Sequence, residues 1–151
     1  MSGAEAQTVP GHRHTRAARL ARPTDRAPRT LLVLDDDRNV LSLLRTYFGG
    51  LGWRVEGCTE LEEALRLADS DLPYDAVICD LHFSAGRRSE GLEIVSRARR
   101  RRPGCAVLLF TGAAAESVRE EALRHGVDEV ITKPAPLARL RDAALRAMKD
   151  P

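Results

Sequence analysis

Cysteine is scarce in this chain of 151 residues, and so is lysine. The three cysteines, Cys58, Cys79 and Cys105, are an odd count, widely spaced, with no CxxC pair and no Cys/His cluster. That excludes a disulfide framework and argues against a zinc site. Each lies in or beside an apolar stretch, which reads as a buried free thiol in a cytoplasmic protein. Long hydrophobic runs are absent too. The longest, Leu31 to Leu34 and Ala106 to Phe110, fall far short of the ~20 residues that span a bilayer, so no membrane partner is expected. Only two lysines, Lys133 and Lys149, stand against 22 arginines.

What is present is enough for one domain: 43 % hydrophobic and 30 % charged residues, on a length that buries a core without staples. Charge is uneven. Residues 1–29 hold six arginines against Glu5 and Asp25, a net of +4; the whole chain is +2, which leaves −2 for residues 30–151. The leader also carries Pro10, Gly11, Pro23 and Pro28 and has little apolar content beyond alanine. It reads as a disordered basic extension preceding a domain over 30–150. It lacks the apolar stretch of a secretory signal. An organelle transit peptide would want more serine, and an arm touching nucleic acid is the lesser alternative, so nucleic acid is not expected as a partner.

From residue 30 onward, short apolar runs alternate with amphipathic ones. Strands are expected at Thr30 to Leu34, Trp53 to Cys58, Asp75 to Cys79, Cys105 to Thr111 and Glu129 to Thr132. Helices are expected over Arg38 to Phe48, from the Thr59–Glu62 capping box to about Asp69, from about Gly91 to Arg102, from about Ala114 to His125, and over Pro136 to Met148. Gly49, Gly50 and Gly52 end the first helix, and Asp80 to Glu90 is a loop. Strands apolar on both faces, alternating with helices, define a doubly wound α/β fold with a five-stranded parallel sheet.

Ligands in such sheets bind beyond the carboxyl ends of the strands. Those ends carry Asp35-Asp36-Asp37, Asp80, Thr111-Gly112 and Lys133-Pro134. Clustered carboxylates repel unless a cation is present. Hard oxygen ligands suit Mg²⁺, which takes one or two carboxylates plus a phosphate. A threonine hydroxyl and an ammonium nearby can bind phosphoryl oxygens. In a chain that otherwise writes Arg, Lys133 points to a need for a compact charge on a flexible stem. Asp37 reads as the cap of the first helix. Arg97 and Arg99 to Arg102 read as helix-end cations favoured by the dipole rather than as a basic patch, and His125 as a helix-end residue.

The run Leu31-Leu-Val-Leu-Asp-Asp-Asp37, followed by Val77-Ile-Cys-Asp80-Leu, Leu108-Leu-Phe-Thr111-Gly and Ile131-Thr-Lys133-Pro134, resembles the receiver domain of two-component response regulators. The resemblance covers about residues 30–150. It implies a receiver-like, flavodoxin-like sheet of order 2-1-3-4-5, with Asp80 as phosphoacceptor. It implies Mg²⁺ held by Asp35, Asp36, Asp80 and the backbone carbonyl of His82, with Thr111 as the switch hydroxyl. It also implies that Lys133 contacts the acyl phosphate and that Pro134 follows a cis bond. The implied partners are a sensor histidine kinase or phosphotransfer protein and an unidentified downstream protein, with a phosphorylation-dependent dimer as a further expectation. The implied role is a phosphoacceptor signalling domain rather than an enzyme; with no output domain after the fifth helix, a stand-alone receiver is expected.

The sequence departs from the family pattern in places. The loop after Asp80, Leu81 to Gly91, is about three residues longer than usual, with Phe83-Ser84 in place of a Met-Pro pair. Val130 stands where many receivers carry a rotating aromatic, and Ala135 where an aromatic commonly follows Lys-Pro. His82, two residues past Asp80, sits where the family tunes hydrolysis. Two other readings use the same residues: a phosphate-independent pseudo-receiver scaffold, and a haloacid-dehalogenase-type phosphohydrolase with Asp35 as nucleophile and Asp37 as acid/base.

Overall fold

In the computed structural model, residues 27–82, 88–112 and 115–149 are described. The chain alternates strand and helix: β1 (Thr30–Leu34), α1 (Arg38–Gly50), β2 (Arg54–Cys58), α2 (Leu61–Ala68), β3 (Ala76–Cys79), α3 (Arg88–Arg101), β4 (Ala106–Thr111), α4 (Glu116–Arg124), β5 (Glu129–Thr132) and α5 (Leu137–Ala147). The five strands form one parallel sheet in the order β2-β1-β3-β4-β5, as expected.

The apolar strands are buried because alternate side chains feed two separate cores. Leu32, Leu34, Val77, Cys79, Val107, Leu109 and Val130 pack on one face with Ala64 and Ala68 of α2, Ile94, Val95 and Ala98 of α3, and Val118 and Ala122 of α4. Leu31, Val33, Ile78, Leu108, Phe110 and Ile131 pack on the other face with Leu44 and Phe48 of α1 and Leu140, Ala143 and Ala144 of α5. Helices on both faces leave the strand ends as the open ground for chemistry.

Several expected boundaries move. The capping box does not form. α2 begins at Leu61 with Glu60 as its N-cap residue and no side-chain cap. The turn therefore starts one residue later than Thr59 requires, and Ala64 N donates to the Glu60 carbonyl. α1 runs through Gly49 and Gly50, because its turn closes only at Leu51 and Gly52, where φ is +86°. α3 begins at Arg88, inside the expected loop. Arg29 is tied to the sheet, its carbonyl accepting from Arg54 N at 2.8 Å, so the fold reaches back one residue before the expected boundary. Of the leader expected to be disordered over 1–29, residues 1–26 lie outside the described residues, as do Phe83 and Ser84. Asp37 caps α1 as expected, its Oδ1 accepting from Asn39 N at 2.8 Å.

Candidate functional site

The sheet order places β1 and β3 side by side, with β4 and β5 following, so residues far apart in sequence share one edge. Asp35 leaves β1 buried, at 2 % exposure. Its amide donates to the Cys58 carbonyl at 3.3 Å, which fixes the start of the loop against β2. Its Oδ1 accepts from Asp37 N at 2.9 Å, which holds the carboxylate still. Asp80 leaves β3 half-buried; its amide donates to the Leu34 carbonyl at 2.9 Å, extending the β1–β3 ladder into the site. Asp36 is exposed. Carboxylate oxygens of Asp35, Asp36 and Asp80 all lie within 4.8 Å of one another.

Lys133 closes the group from the far side. Its Nζ donates to Asp35 Oδ2 at 2.8 Å and to Asp80 Oδ2 at 3.3 Å. The Lys133–Pro134 bond is cis, as expected. The Lys133 amide donates to the Thr111 carbonyl at 2.8 Å, so the lysine is anchored to the end of β4. Thr111 is fully buried. His82 is exposed and enters the site through its amide, which donates to Asp80 Oδ1 at 3.2 Å.

The electrostatics follow from burial. Desolvation raises the Asp35 pKa above its ordinary value, outweighing the opposing hydrogen bonds from Lys133 and Asp37. Burial alone would lower the Lys133 pKa, but the hydrogen bonds and charges of Asp35 and Asp80 outweigh it, so the ammonium is held more firmly protonated than usual. Among the described residues, one cation thus faces three carboxylates. That donor set, oxygen-only and short of positive charge, fits a hard divalent cation such as Mg²⁺.

Two neighbours of the site had no signal in the sequence. Phe110, just before Thr111, places its ring centroid 5.3 Å from the Lys133 ammonium. Arg119 of α4 donates to the Val130 carbonyl at 2.9 Å and to Thr132 Oγ1 at 3.1 Å, so a guanidinium joins α4 to β5 beside the buried Val130. A third feature is steric. Gly91 of α3 packs so closely on the loop after Asp80 that a Cβ there would lie 2.4 Å from the Leu81 carbonyl oxygen.

Comparison with known proteins agrees with this geometry. The chain matches the response regulator receiver domain family over residues 31–145, and it belongs to that family. It is 31 % identical over 119 residues to the photosynthetic apparatus regulatory protein RegA of Cereibacter sphaeroides, an alignment covering 79 % of this chain and 62 % of that protein. It is 36 % identical over 121 residues to the response regulator MprA of Mycolicibacterium vanbaalenii, covering 80 % of this chain and 50 % of that protein. The chain therefore spans about half to three-fifths of the length of these relatives. Among solved structures it resembles a response regulator from Burkholderia pseudomallei that carries a phosphorylated aspartic acid, a calcium ion and citrate. That match has a TM-score of 0.70 at 25 % identity, covering 77 % of this chain and 66 % of the other. The chemotaxis protein CheY4 of Vibrio cholerae shares the fold at a TM-score of 0.71 and 21 % identity, covering 81 % of this chain and all of the other. Receiver domains are signalling modules with an acidic metal-binding pocket. Membership sets the phosphohydrolase reading aside, and Asp37, which that reading needs as acid/base, is engaged as a helix cap. No helix among the described residues is long and apolar enough to cross a membrane.

Proposed function

We propose that Asp80 accepts a phosphoryl group from the phosphohistidine of a sensor histidine kinase or phosphotransfer protein, and that the phosphorylated domain signals by protein–protein contact. The observation that carries this reading is the position of the Lys133 ammonium, within hydrogen-bonding reach of both Asp35 and Asp80. A carboxylate oxygen of Asp80 attacks phosphorus; the P–O bond forms as the P–N bond to the donor imidazole breaks, and the imidazole keeps that electron pair and takes up a proton. Asp35, Asp36 and Asp80, with the His82 backbone carbonyl, would hold Mg²⁺. When bound, Mg²⁺ supplies positive charge to the phosphoryl oxygens during transfer. Lys133 neutralises charge on those oxygens, and positioning does most of the rest.

The aspartyl phosphate carries about two negative charges. Thr111, at the end of β4, can donate its hydroxyl to a phosphoryl oxygen, and that movement biases two states of the α4–β5–α5 face. Inverting a mostly-off population takes ~5.5 kcal/mol of differential stabilisation. Val130 gives no aromatic to rotate, so the relay runs through displacement of α4 or through the long loop after Asp80. The His82 side chain tunes how fast water removes the phosphoryl group. The downstream partner is a protein in the cytoplasm, with a phosphorylation-dependent dimer as one output and storage of the phosphoryl group as another.

The test is mass spectrometry after incubation with acetyl phosphate and Mg²⁺, on the native chain and on Asp80→Asn. The expected result is one phosphoryl group on Asp80 and none on the variant. Label on Asp35 would overturn the reading. If beryllofluoride with Mg²⁺ leaves the melting temperature unchanged, the phosphate-independent scaffold takes its place, because a bound ligand must raise stability.

A further inference from the structure

We propose that Phe110 is a positioning residue for Lys133: the face of its ring seats the ammonium beside Asp80 and thereby speeds phosphoryl transfer. The effect on rate rests on the reaction assigned above, whereas the seating belongs to the resting protein.

Phe110 is the penultimate residue of β4, at 6 % exposure, in the core shared with Leu108, Ile131 and Leu140. Its register partner on β5 is Ile131, two residues before Lys133. The ammonium lies 5.3 Å from the ring centroid. That is within the ~6 Å over which a cation is attracted to a ring face, and exclusion of water on the ring side strengthens the attraction.

Three neighbours thus surround one ammonium: Asp35, Asp80 and the ring. The two carboxylates are the groups that the chemistry alters. Phosphorylation turns the Asp80 carboxylate into an acyl phosphate, and a metal held at Asp35 would draw on the carboxylate that Lys133 contacts. The ring contact depends on neither event. Lysine has a long flexible stem, and the Lys133 side chain is 23 % exposed, so a route to solvent is open. Without the ring face the ammonium divides its time between the pocket and water, and transfer proceeds with its charge only part-time in place.

Fluorination of the ring tests this, because it weakens the negative face while nearly preserving shape. Mono-, di- and trifluorophenylalanine placed at position 110 of the full chain, with Phe110→Leu as the ringless variant, are phosphorylated with acetyl phosphate and Mg²⁺. The rate constant for labelling Asp80 should fall stepwise with fluorine number, reaching roughly three- to tenfold in Phe110→Leu. In a Lys133→Ala background the same changes should have no further effect. A rate indifferent to fluorination, or an equal loss from Phe110→Leu in both backgrounds, would mean that the ring is packing only. Nitrogen-15 relaxation of the Lys133 ammonium in the unphosphorylated protein is the second arm. The ammonium should become more mobile in Phe110→Leu, and unchanged mobility overturns the seating. Should the native chain take no label at Asp80, the reaction reading fails while this second arm still decides the role of the ring.

Discussion

The Lys133 ammonium sits 2.8 Å from Oδ2 of Asp35 and 3.3 Å from Oδ2 of Asp80, although 98 and 53 residues separate these partners along the chain. The ends of β1, β3 and β5 are therefore joined through one side chain. Among the described residues the pocket keeps an excess of negative charge, since Asp36 adds a third carboxylate to the pair that Lys133 already serves.

Asp36→Asn should separate charge relief from metal binding. Removing a carboxylate that repels Asp35 and Asp80 raises stability in a chelator-treated sample. The same substitution removes a hard oxygen ligand, so Mg²⁺ affinity should fall by about tenfold or more. Thermal melts with and without chelator, followed by a Mg²⁺ titration, read both effects. A variant that binds Mg²⁺ as tightly as the native chain would remove Asp36 from the site.

The raised pKa of Asp35 has a pH signature. A carboxyl whose folded pKa exceeds its unfolded value of 3.8 binds its proton more tightly in the folded chain. Its contribution to stability is full below that value and is lost as pH rises through the folded pKa. Metal-free native protein should thus lose stability across this acidic window relative to Asp35→Asn, as followed by urea denaturation at stepped pH. Lys133 stays protonated throughout that window, because its own pKa is shifted upward. Mg²⁺ should flatten the difference at the upper end of the window by compensating the ionised carboxylate.

Gly91→Ala should disturb the site from a distance. The added Cβ meets backbone, the Leu81 carbonyl oxygen at 2.4 Å, which cannot swing aside as a side chain can. We expect a destabilisation of about 1–3 kcal/mol, as for other overpacked positions. Leu81 directly follows Asp80, so the labelling of Asp80 by acetyl phosphate should slow as well. A melting temperature within a degree of the native value would contradict this close packing.

The strand ends were the most legible part of the sequence. Runs such as Ala106 to Phe110 leave little choice but a buried strand, and the polar residue after each run must then fall on one edge. That places Asp35, Asp80, Thr111 and Lys133 together before any coordinate is known. Helix ends were less legible. Thr59 and Glu62 have the spacing of a capping box, yet α2 takes Glu60 as its N-cap residue, because local pattern competes with the register that packs Ala64 and Ala68 against the sheet. The arginine run was half read. Arg97, Arg99, Arg101 and Arg102 do lie toward the end of α3, and Arg97 pairs with Glu93 one turn back in the helix, but several further partners come from distant segments. Arg97 reaches Asp69, Arg101 is paired with Asp71, and Arg102 donates to the Tyr74 carbonyl at 2.9 Å. A sequence pattern carries no information about such pairings.

Arg99 is the strongest of these. Its guanidinium donates to the carbonyls of Gly126, Pro103 and Cys105 at 3.0, 2.7 and 2.8 Å, and to Asp128 Oδ2 at 2.7 Å. Asp128 Oδ2 also accepts from Val107 N at 2.8 Å, so the fork ties α3 to the start of β4 and to the turn before β5. Arg99→Met keeps the stem and removes the fork, leaving a carboxylate and several carbonyls underserved. The expected cost is ~2–4 kcal/mol. Arg99→Lys should recover less than half, since an ammonium has three donors and cannot serve four spread acceptors as the guanidinium fork does. Chemical denaturation of both variants measures this, and an Arg99→Met protein as stable as the native chain would reduce the run to helix-end charges.

The three thiols yield a prediction at the alkaline end. Burial raises the pKa of Cys58 and of Cys105 from 9.0 to about 11, and it raises that of fully buried Cys79 well above 9.0. Tyr74 is lifted in the same direction, mainly by burial, with its hydroxyl donating to the Ala68 carbonyl at 2.6 Å. Each of these acids holds its proton more tightly when folded. Their stabilising contribution is complete below the unfolded values of 9.0 and 10.0 and is lost as pH climbs through the folded ones. Stability should therefore decline from about pH 9 upward. Reactivity follows the same logic, because the thiolate is the attacking species. Two pKa units leave about a hundredth of the ordinary thiolate fraction at pH 8. A disulfide reagent should titrate all three thiols within seconds in denaturant and far more slowly in the native protein, with half-exposed Cys58 first. Fast native reaction of Cys79 or Cys105 would mean that the sheet opens locally at β3 or at the start of β4. Cys79 and Cys105 both belong to the core that packs against α2, α3 and α4, which predicts the opposite.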